Sequence, residues 1–267
     1  MTDKNRAITL TGGAGLVGQN LCAKLLERGY NNLTVFDKNQ FNLAILQKMH
    51  PAIRCFEVDL AEPGVWQQKV KSASQVIMLQ AQIGAKEYEP FQRNNILATE
   101  NVLAAINPES CHLVHVSSSV INSVADDFYT RSKTEQENIV LDSGIEYCIL
   151  RPTLMFGWFD RKHFGWLSRF MKKTPVFPIP GDGKYLRQPL FVGDFCDIIV
   201  SSMEKRISNK TYDITGREKL TYIDIIKTIK KTIKSRTILL PIPYRLFDIL
   251  LRIYGIFDKS PPLPLRN

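Results

Sequence analysis

The sequence predicts an α/β fold, a doubly wound parallel sheet with a smaller C-terminal substrate lobe. Three observations carry this. Short apolar runs alternate with helical stretches from the N-terminus to about residue 151, the pattern of βαβ units. A glycine-rich turn, with Gly12, Gly15 and Gly18, follows the first of those runs. Beyond Pro152 the chain turns to loops rich in Pro, Gly and aromatics, unlike a further βα unit.

In order, AITL reads as the first strand and LVGQNLCAKLLERG as the first helix, stopped by Gly29. LTVFD is the second strand, a helix covers residues 40–49, and IRCFEVDL and SQVIMLQA are further strands. FQRNNILATENVLAAI, residues 91–106, has helical spacing, CHLVHVSS is a buried strand, residues 130–142 form a helix, and IEYCILRP closes the region. FVGDFCDIIVSSMEK and TYDITG are expected to return to the sheet as a helix and a strand. The predicted division is residues 1–151 with about 190–216 in a nucleotide-binding domain, and about 152–189 with 217–267 in a substrate-binding lobe.

With 267 residues, 44% hydrophobic and 23% charged, the chain is long enough for such a domain and lobe. No apolar run reaches the roughly 18–20 residues that span a bilayer. MTDKNRAITL enters a strand without the apolar core of a signal peptide, so the expected location is cytoplasmic. The five cysteines are scattered singly and read as reduced and structural. The net charge of +9 belongs to the C-terminal part: residues 201–267 hold 14 Lys/Arg and 6 Asp/Glu, the first 200 hold 21 and 20. Nucleic acid is not an expected partner, because the aromatics do not interleave with the basic residues. KTIKKTIKSR (227–236) and LLPIPYRLFDILLRIYGIF (239–257) together suit either packing within the lobe or peripheral contact with an anionic membrane, and the pattern leaves both open.

The turn TLTGGAGLVGQNL lies between a strand and a helix. Gly12, Gly15 and Gly18 let the backbone approach a pyrophosphate, and Leu16 and Val17 open a helix whose first N–H groups face it. Asp37 ends the second strand about twenty residues on, where a carboxylate accepts ribose hydroxyls and repels a 2′-phosphate, which favours NAD over NADP. Asp59 and Leu60 follow the third strand, where an acid can hold the adenine amino group. These features specify a Rossmann-type sheet.

Tyr129 and Lys133 are four residues apart, on one face of a helix, and the ammonium is expected to lower the tyrosine pKa. LVHV ends in Ser117, Ser118 and Ser119 at the sheet edge that binds ligands. His112 and His115 alternate along a buried strand without a further ligand pair, so no metal is expected. Trp158, Phe159, His163, Phe164 and Trp166 suit either substrate stacking or packing.

TGGAGLVG, Asp37, Asp59-Leu60, NNILATENVLAA, HVSSS, YTRSK, ILRP and GDGKYLRQPLFVGD, in this order, resemble the short-chain dehydrogenase/reductase superfamily in its extended branch, the NAD-dependent epimerase/dehydratase family. The resemblance runs from residue 11 to about residue 216. It implies NAD as cofactor, Tyr129 as acid/base, Lys133 as holder of the nicotinamide ribose, and Ser118 or Ser119 on the reacting oxygen. Asn95 matches an asparagine of the helix before the serine strand. Arg187 falls where nucleotide-sugar members bind the substrate diphosphate, and relatives pair as homodimers. The chain departs from the family in having VINS after the serines, only 11 steps from Ser118 to Tyr129, and Met78 and Gln80 where His and Ala are usual. Gln80 or Gln82 is therefore expected to meet the cofactor differently. The expected activity is epimerisation or oxidoreduction at a hydroxyl carbon of a nucleotide-diphosphate sugar, since SSSVIN lacks the acids of dehydratases. The alternatives are a hydroxysteroid or lipid-type dehydrogenase, and a non-catalytic NAD-binding scaffold at a membrane complex.

Overall fold

The computed structural model describes residues 3–257, so the terminal SPPLPLRN lies outside the described residues. The chain divides into two compact units: residues up to Thr153 with Val192–Ile214, and Leu154–Phe191 with the residues from Thr215 onward.

The first unit begins with β1 (Ile8–Thr11), α1 (Leu16–Glu27), β2 (Leu33–Asp37), α2 (Gln40–Met49), β3 (Arg54–Glu57), α3 (Trp66–Lys71) and β4 (Gln75–Met78). It continues through α4 (Glu89–Phe91), a π-helical segment (Gln92–Leu97), α5 (Ala98–Ala105), β5 (His112–Val116), a 3₁₀ turn (Ser119–Asn122), α6 (Phe128–Leu141) and β6 (Tyr147–Pro152). The chain then forms β7 (Met155–Phe156), α7 (Phe164–Lys173), β8 (Val176–Pro180), β9 (Leu186–Arg187) and β10 (Leu190–Phe191) of the second unit. Helix α8 (Val192–Glu204) and β11 (Lys210–Ile214) return to the first. The second unit is completed by β12 (Leu220–Thr221), α9 (Tyr222–Thr232), β13 (Ile238–Ile242) and α10 (Tyr244–Phe257).

Seven strands form the main sheet in the order β11-β6-β5-β4-β1-β2-β3, all pairs parallel. β1, β4 and β5 are buried at every position, as a sheet covered on both faces requires. The order reverses at β1 and β4, which opens the crevice where such sheets bind ligands. Register levels the strand ends: Thr11 pairs with Phe36 and Met78, Met78 with His115, and Val116 with Leu150. The glycine turn, Asp37 and the serines therefore leave the sheet at one edge. Apolar side chains of β4, β5, α3 and α5, among them Trp66, Val76, Val102 and Leu113, form a core beneath it.

Two stretches differ from the sequence reading. Residues 91–106 are not one α-helix, because Gln92–Leu97 winds as a π-helix. The loop-like region after Pro152 contains α7, whose start is held by the buried Asp160 carboxylate: it accepts from the backbone N–H of His163 at 2.8 Å and of Gly165 at 3.1 Å. Of its aromatic positions, ambiguous in sequence, Trp166 stacks on Phe170 at 5.1 Å and Phe164 meets Phe156 at 5.6 Å, whereas Trp158 is 76% exposed. The second unit's core gathers Met171, Phe177, Ile179, Tyr222 and Ile226. No helix of the described residues is long and apolar enough to cross a membrane.

Candidate nucleotide and catalytic site

Gly12 sits at φ +66°, and a Cβ there would lie 2.5 Å from the backbone N and Cα of Gln80. A Cβ on Gly18 would come within 2.1 Å of the Gly13 carbonyl oxygen. Only glycine lets β4 and α1 pack this closely on the turn. Gly15 is the N-cap of α1 and supplies no side-chain cap, so no side chain competes for the first N–H groups, those of Leu16 and Val17 among them. Asp37 braces the turn: Oδ2 accepts from Ala14 N–H at 2.9 Å and Oδ1 from Asn39 N–H at 2.9 Å. Burial pushes its carboxyl above the usual range, against those N–H bonds. Each oxygen keeps a second lone pair for a ribose hydroxyl. Asp59 accepts from Ala61 N–H at 3.0 Å and pairs with Arg93 at 3.1 Å; burial opposes ionisation, but these partners hold it below the usual carboxylate range. Leu60 is buried, its carbonyl accepting from Asn101 Nδ2 at 3.0 Å. A cradle closed to Cβ atoms, an uncapped helix start and a carboxylate on the adjacent strand fit a dinucleotide.

At the end of β5, α6 is set by Asp127, whose side chain caps it by accepting from Thr130 N–H at 2.8 Å. Tyr129 thus falls in the first turn, near enough to Ser118 for that hydroxyl to favour the phenolate, and Ser118 Oγ accepts from Val120 N–H at 3.4 Å. Ser119 begins the 3₁₀ turn, and the Ser117 hydroxyl is buried without a hydrogen-bond partner. Lys133 is 1% exposed; its ammonium donates to the Val116 carbonyl at 3.1 Å and to Gln136 Oε1. Burial lowers its pKa to about 7, opposed by the charge of Glu137, itself paired with Arg151. Contrary to the sequence expectation, the Tyr129 phenol lies above its ordinary value. Burial raises it, the Ser118 hydroxyl counters only in part, and the Lys133 ammonium is engaged by Val116 and Gln136.

Behind these groups runs a buried polar chain. Thr11 Oγ1 donates to Gln80 Oε1 at 2.6 Å, Gln80 Nε2 donates to Thr99 Oγ1 at 3.4 Å, Gln136 Nε2 donates to the same oxygen at 2.8 Å, and Gln136 Oε1 accepts from Lys133. Gln80, expected at the cofactor, spends both ends of its amide inside this chain. Gln136 and Thr99 escaped the sequence reading, although Gln136 lies three residues after Lys133 on the same helix face. Asn95 is fully buried on the π-helical segment, accepting from Gln82 N–H at 2.6 Å and donating to Gln82 O at 3.1 Å and Ser132 Oγ at 2.9 Å. It ties the exit of β4 to α6, and the wider π turn is a common device for such placement.

His112 lies within hydrogen-bond distance of Gln75 Oε1 at 3.1 Å and of the Ile207 carbonyl at 2.8 Å. His115 is fully buried with neither ring nitrogen partnered, and burial, then the Lys133 charge, hold it well below its ordinary pKa, hence neutral. In the second unit, Arg187 lies on β9 with its guanidinium 4.9 Å over the Tyr185 ring, and it forms no ion pair with a carboxylate of the described residues.

Parallel strands in this order, a glycine cradle at their switch point, and serine, tyrosine and lysine at the next strand end describe a Rossmann dinucleotide-binding domain. The chain belongs to the NAD dependent epimerase/dehydratase family, whose sequence profile matches residues 8–215, and NAD is its cofactor. It is 29% identical over 178 residues to a 2-alkyl-3-oxoalkanoate reductase of Stenotrophomonas maltophilia (strain K279a), covering 58% of this chain and 52% of that protein. The chain thus spans about half the length of that relative. It is 21% identical over 286 residues to a UDP-glucose 4-epimerase of Vibrio cholerae, covering 95% of this chain and 84% of that protein. Its fold matches the crystal structure of a UDP-glucuronic acid 4-epimerase from Bacillus cereus in complex with NAD, with TM-score 0.78, 21% identity, and 89% and 87% of the two chains covered.

Proposed function

We propose that the protein uses NAD to oxidise and reduce a hydroxyl carbon of a nucleotide-diphosphate sugar through Ser118, Tyr129 and Lys133. Epimerisation or simple oxidoreduction is the outcome, since SSSVIN offers no carboxylate for dehydration. The convergence of Ser118, Tyr129 and the buried Lys133 at the sheet edge that carries the glycine cradle supports this reading most. NAD, when bound, supplies the hydride acceptor and donor. Tyr129 takes the proton of the substrate hydroxyl, and Ser118 holds that oxygen. Lys133, protonated, favours the phenolate that accepts this proton to become the phenol, and offers a donor to the nicotinamide ribose. Arg187, stacked on Tyr185 and lacking a carboxylate partner, takes the substrate diphosphate with its two-pronged guanidinium.

A second reading, a lipid-type hydroxy or oxo acid substrate, is favoured by the similarity to an oxoalkanoate reductase and by exposed apolar residues of the second unit. The test begins with identifying the nucleotide released on denaturation, then assays UDP-sugars for cofactor-dependent turnover. Tyr129→Phe is expected to lower turnover by about 10²–10⁴ while NAD stays bound; unchanged turnover would remove Tyr129 from the chemistry. Arg187→Ala is expected to raise KM for a nucleotide sugar about tenfold or more at constant kcat. An unmoved KM would favour the lipid reading.

A further inference from the structure

The sequence left the basic C-terminal region between two roles, internal packing and contact with a membrane. In the structure its apolar residues divide: Ile229, Ile233 and Leu239 pack against the core of the second unit and Ile242 is buried, while a second set faces outward. On α10, Leu246, Ile249, Leu250 and Ile253 follow the i, i+3, i+4, i+7 spacing of one helix face, and each is 43–53% exposed. On β13, Ile238 and Leu240, two positions apart on one strand face, are 63% and 49% exposed. Scattered exposed leucines are ordinary, but a whole helical face left bare marks an interaction surface.

Cations begin where this apolar surface begins. Lys227, Lys230, Lys231 and Lys234 line an open groove of about 630 Å³ that Ile238 also borders. Lys227 lies 3.9 Å from Asp224; the other three form no ion pair with a carboxylate of the described residues. Lys230 and Lys231 lie in the last turn of α9 and complement its dipole, which leaves Lys234 and the bare apolar face unaccounted for. The apolar residues run on from this groove along β13 and, past Pro243, into α10, all within the second unit.

We propose that the second unit docks on an anionic lipid bilayer, the apolar face of α10 entering the headgroup boundary and the α9 lysines meeting lipid phosphates. The lysines of the groove border Ile238 and Leu239, and together with the exposed apolar positions of α10 they offer the two chemistries of an interface that is apolar below and anionic above. A second copy of the chain is the weaker occupant, because a two-fold contact sets a patch against itself and would gather the lysine clusters of both copies. The surface uses none of the residues of the NAD cradle, so this proposal stands or falls independently of the substrate.

The experiment is flotation of the full chain with vesicles of phosphatidylcholine alone and of phosphatidylcholine doped with phosphatidylglycerol. Binding is expected only to the doped vesicles and should weaken as salt rises. The pair Lys230→Glu and Lys234→Glu should lower partitioning at least about tenfold. Ile249→Asp should lower it through the apolar face, with NAD content of each purified variant reporting an intact first unit. No flotation with either vesicle, or flotation indifferent to both variants, overturns the proposal. So does a wild-type dimer, measured by sedimentation without lipid, that Ile249→Asp dissociates.

Discussion

The two units of this chain treat polar and apolar side chains in opposite ways. In the first, β1, β4 and β5 are buried throughout, and the groups that must be polar are threaded into one chain from Thr11 through Gln80, Thr99 and Gln136 to Lys133. In the second, apolar residues of β13 and α10 stand in solvent, and Arg187, Lys230, Lys231 and Lys234 have no carboxylate partner among the described residues. A buried polar group without a partner costs about 1–3 kcal/mol, and the polar chain of the first unit meets that need for Thr11, Gln80, Thr99, Gln136 and Lys133, whereas Ser117 and His115 have no partner among the described residues. Cations without an internal partner have their binding capacity in reserve.

The largest test of that contrast is a pair of glycine substitutions. Gly12→Ala places a Cβ 2.5 Å from the Gln80 backbone at φ +66°, and is expected to abolish NAD retention and to cost on the order of 1–3 kcal/mol or more. Gly181→Ala, at φ +62°, meets the Tyr244 ring instead, and should leave NAD content unchanged. NAD content and thermal midpoints of the two proteins measure this; equal loss in both would erase the distinction.

Lys133 offers a smaller effect with a definite sign. Burial holds its folded pKa near about 7 against an ordinary 10.5. Between those values the unfolded chain carries the proton and the folded one does not, so stability contributed by this site rises with pH across that window. Lys133→Met should flatten the rise, by up to a few kcal/mol, in denaturant titrations repeated from neutral to alkaline pH. An undiminished slope in the Lys133→Met protein would contradict the assignment.

Gln136→Leu should have the finest effect. It removes a neutral acceptor from the Lys133 ammonium, lowers that pKa further, and should move the alkaline limb of NAD affinity to lower pH by about one unit. An unmoved limb would reduce Gln136 to packing.

Much of this was legible because it is local. LTVFD is β2 as read, the helix over 40–49 is α2, and TYDITG supplies β11, which pairs with β6. Period and turn residues suffice for such elements. Helix α7 was hidden because Pro, Gly and aromatics obscured its period, and its start depends on the Asp160 cap. The π-helical winding of Gln92–Leu97 has no distinct spacing in sequence and accompanies the bonds that Asn95 makes across the fold. Tyr129 and Lys133 could be paired from their spacing, but which of three serines meets the tyrosine could not.

By itself, the sequence determined the alternation of strands and helices up to about residue 151 in outline, the glycine positions of the turn, the face shared by Tyr129 and Lys133, and the concentration of positive charge toward the C-terminus. These follow from backbone geometry and side-chain period, which act over a few residues. The tertiary structure decided that Ser118 reaches Tyr129, that Lys133 is held by Gln136 and Val116, and that the face of α10 stays bare. Those depend on which distant surfaces exclude water from one another, and a desolvated polar or apolar group takes its partner from whatever the fold brings within reach.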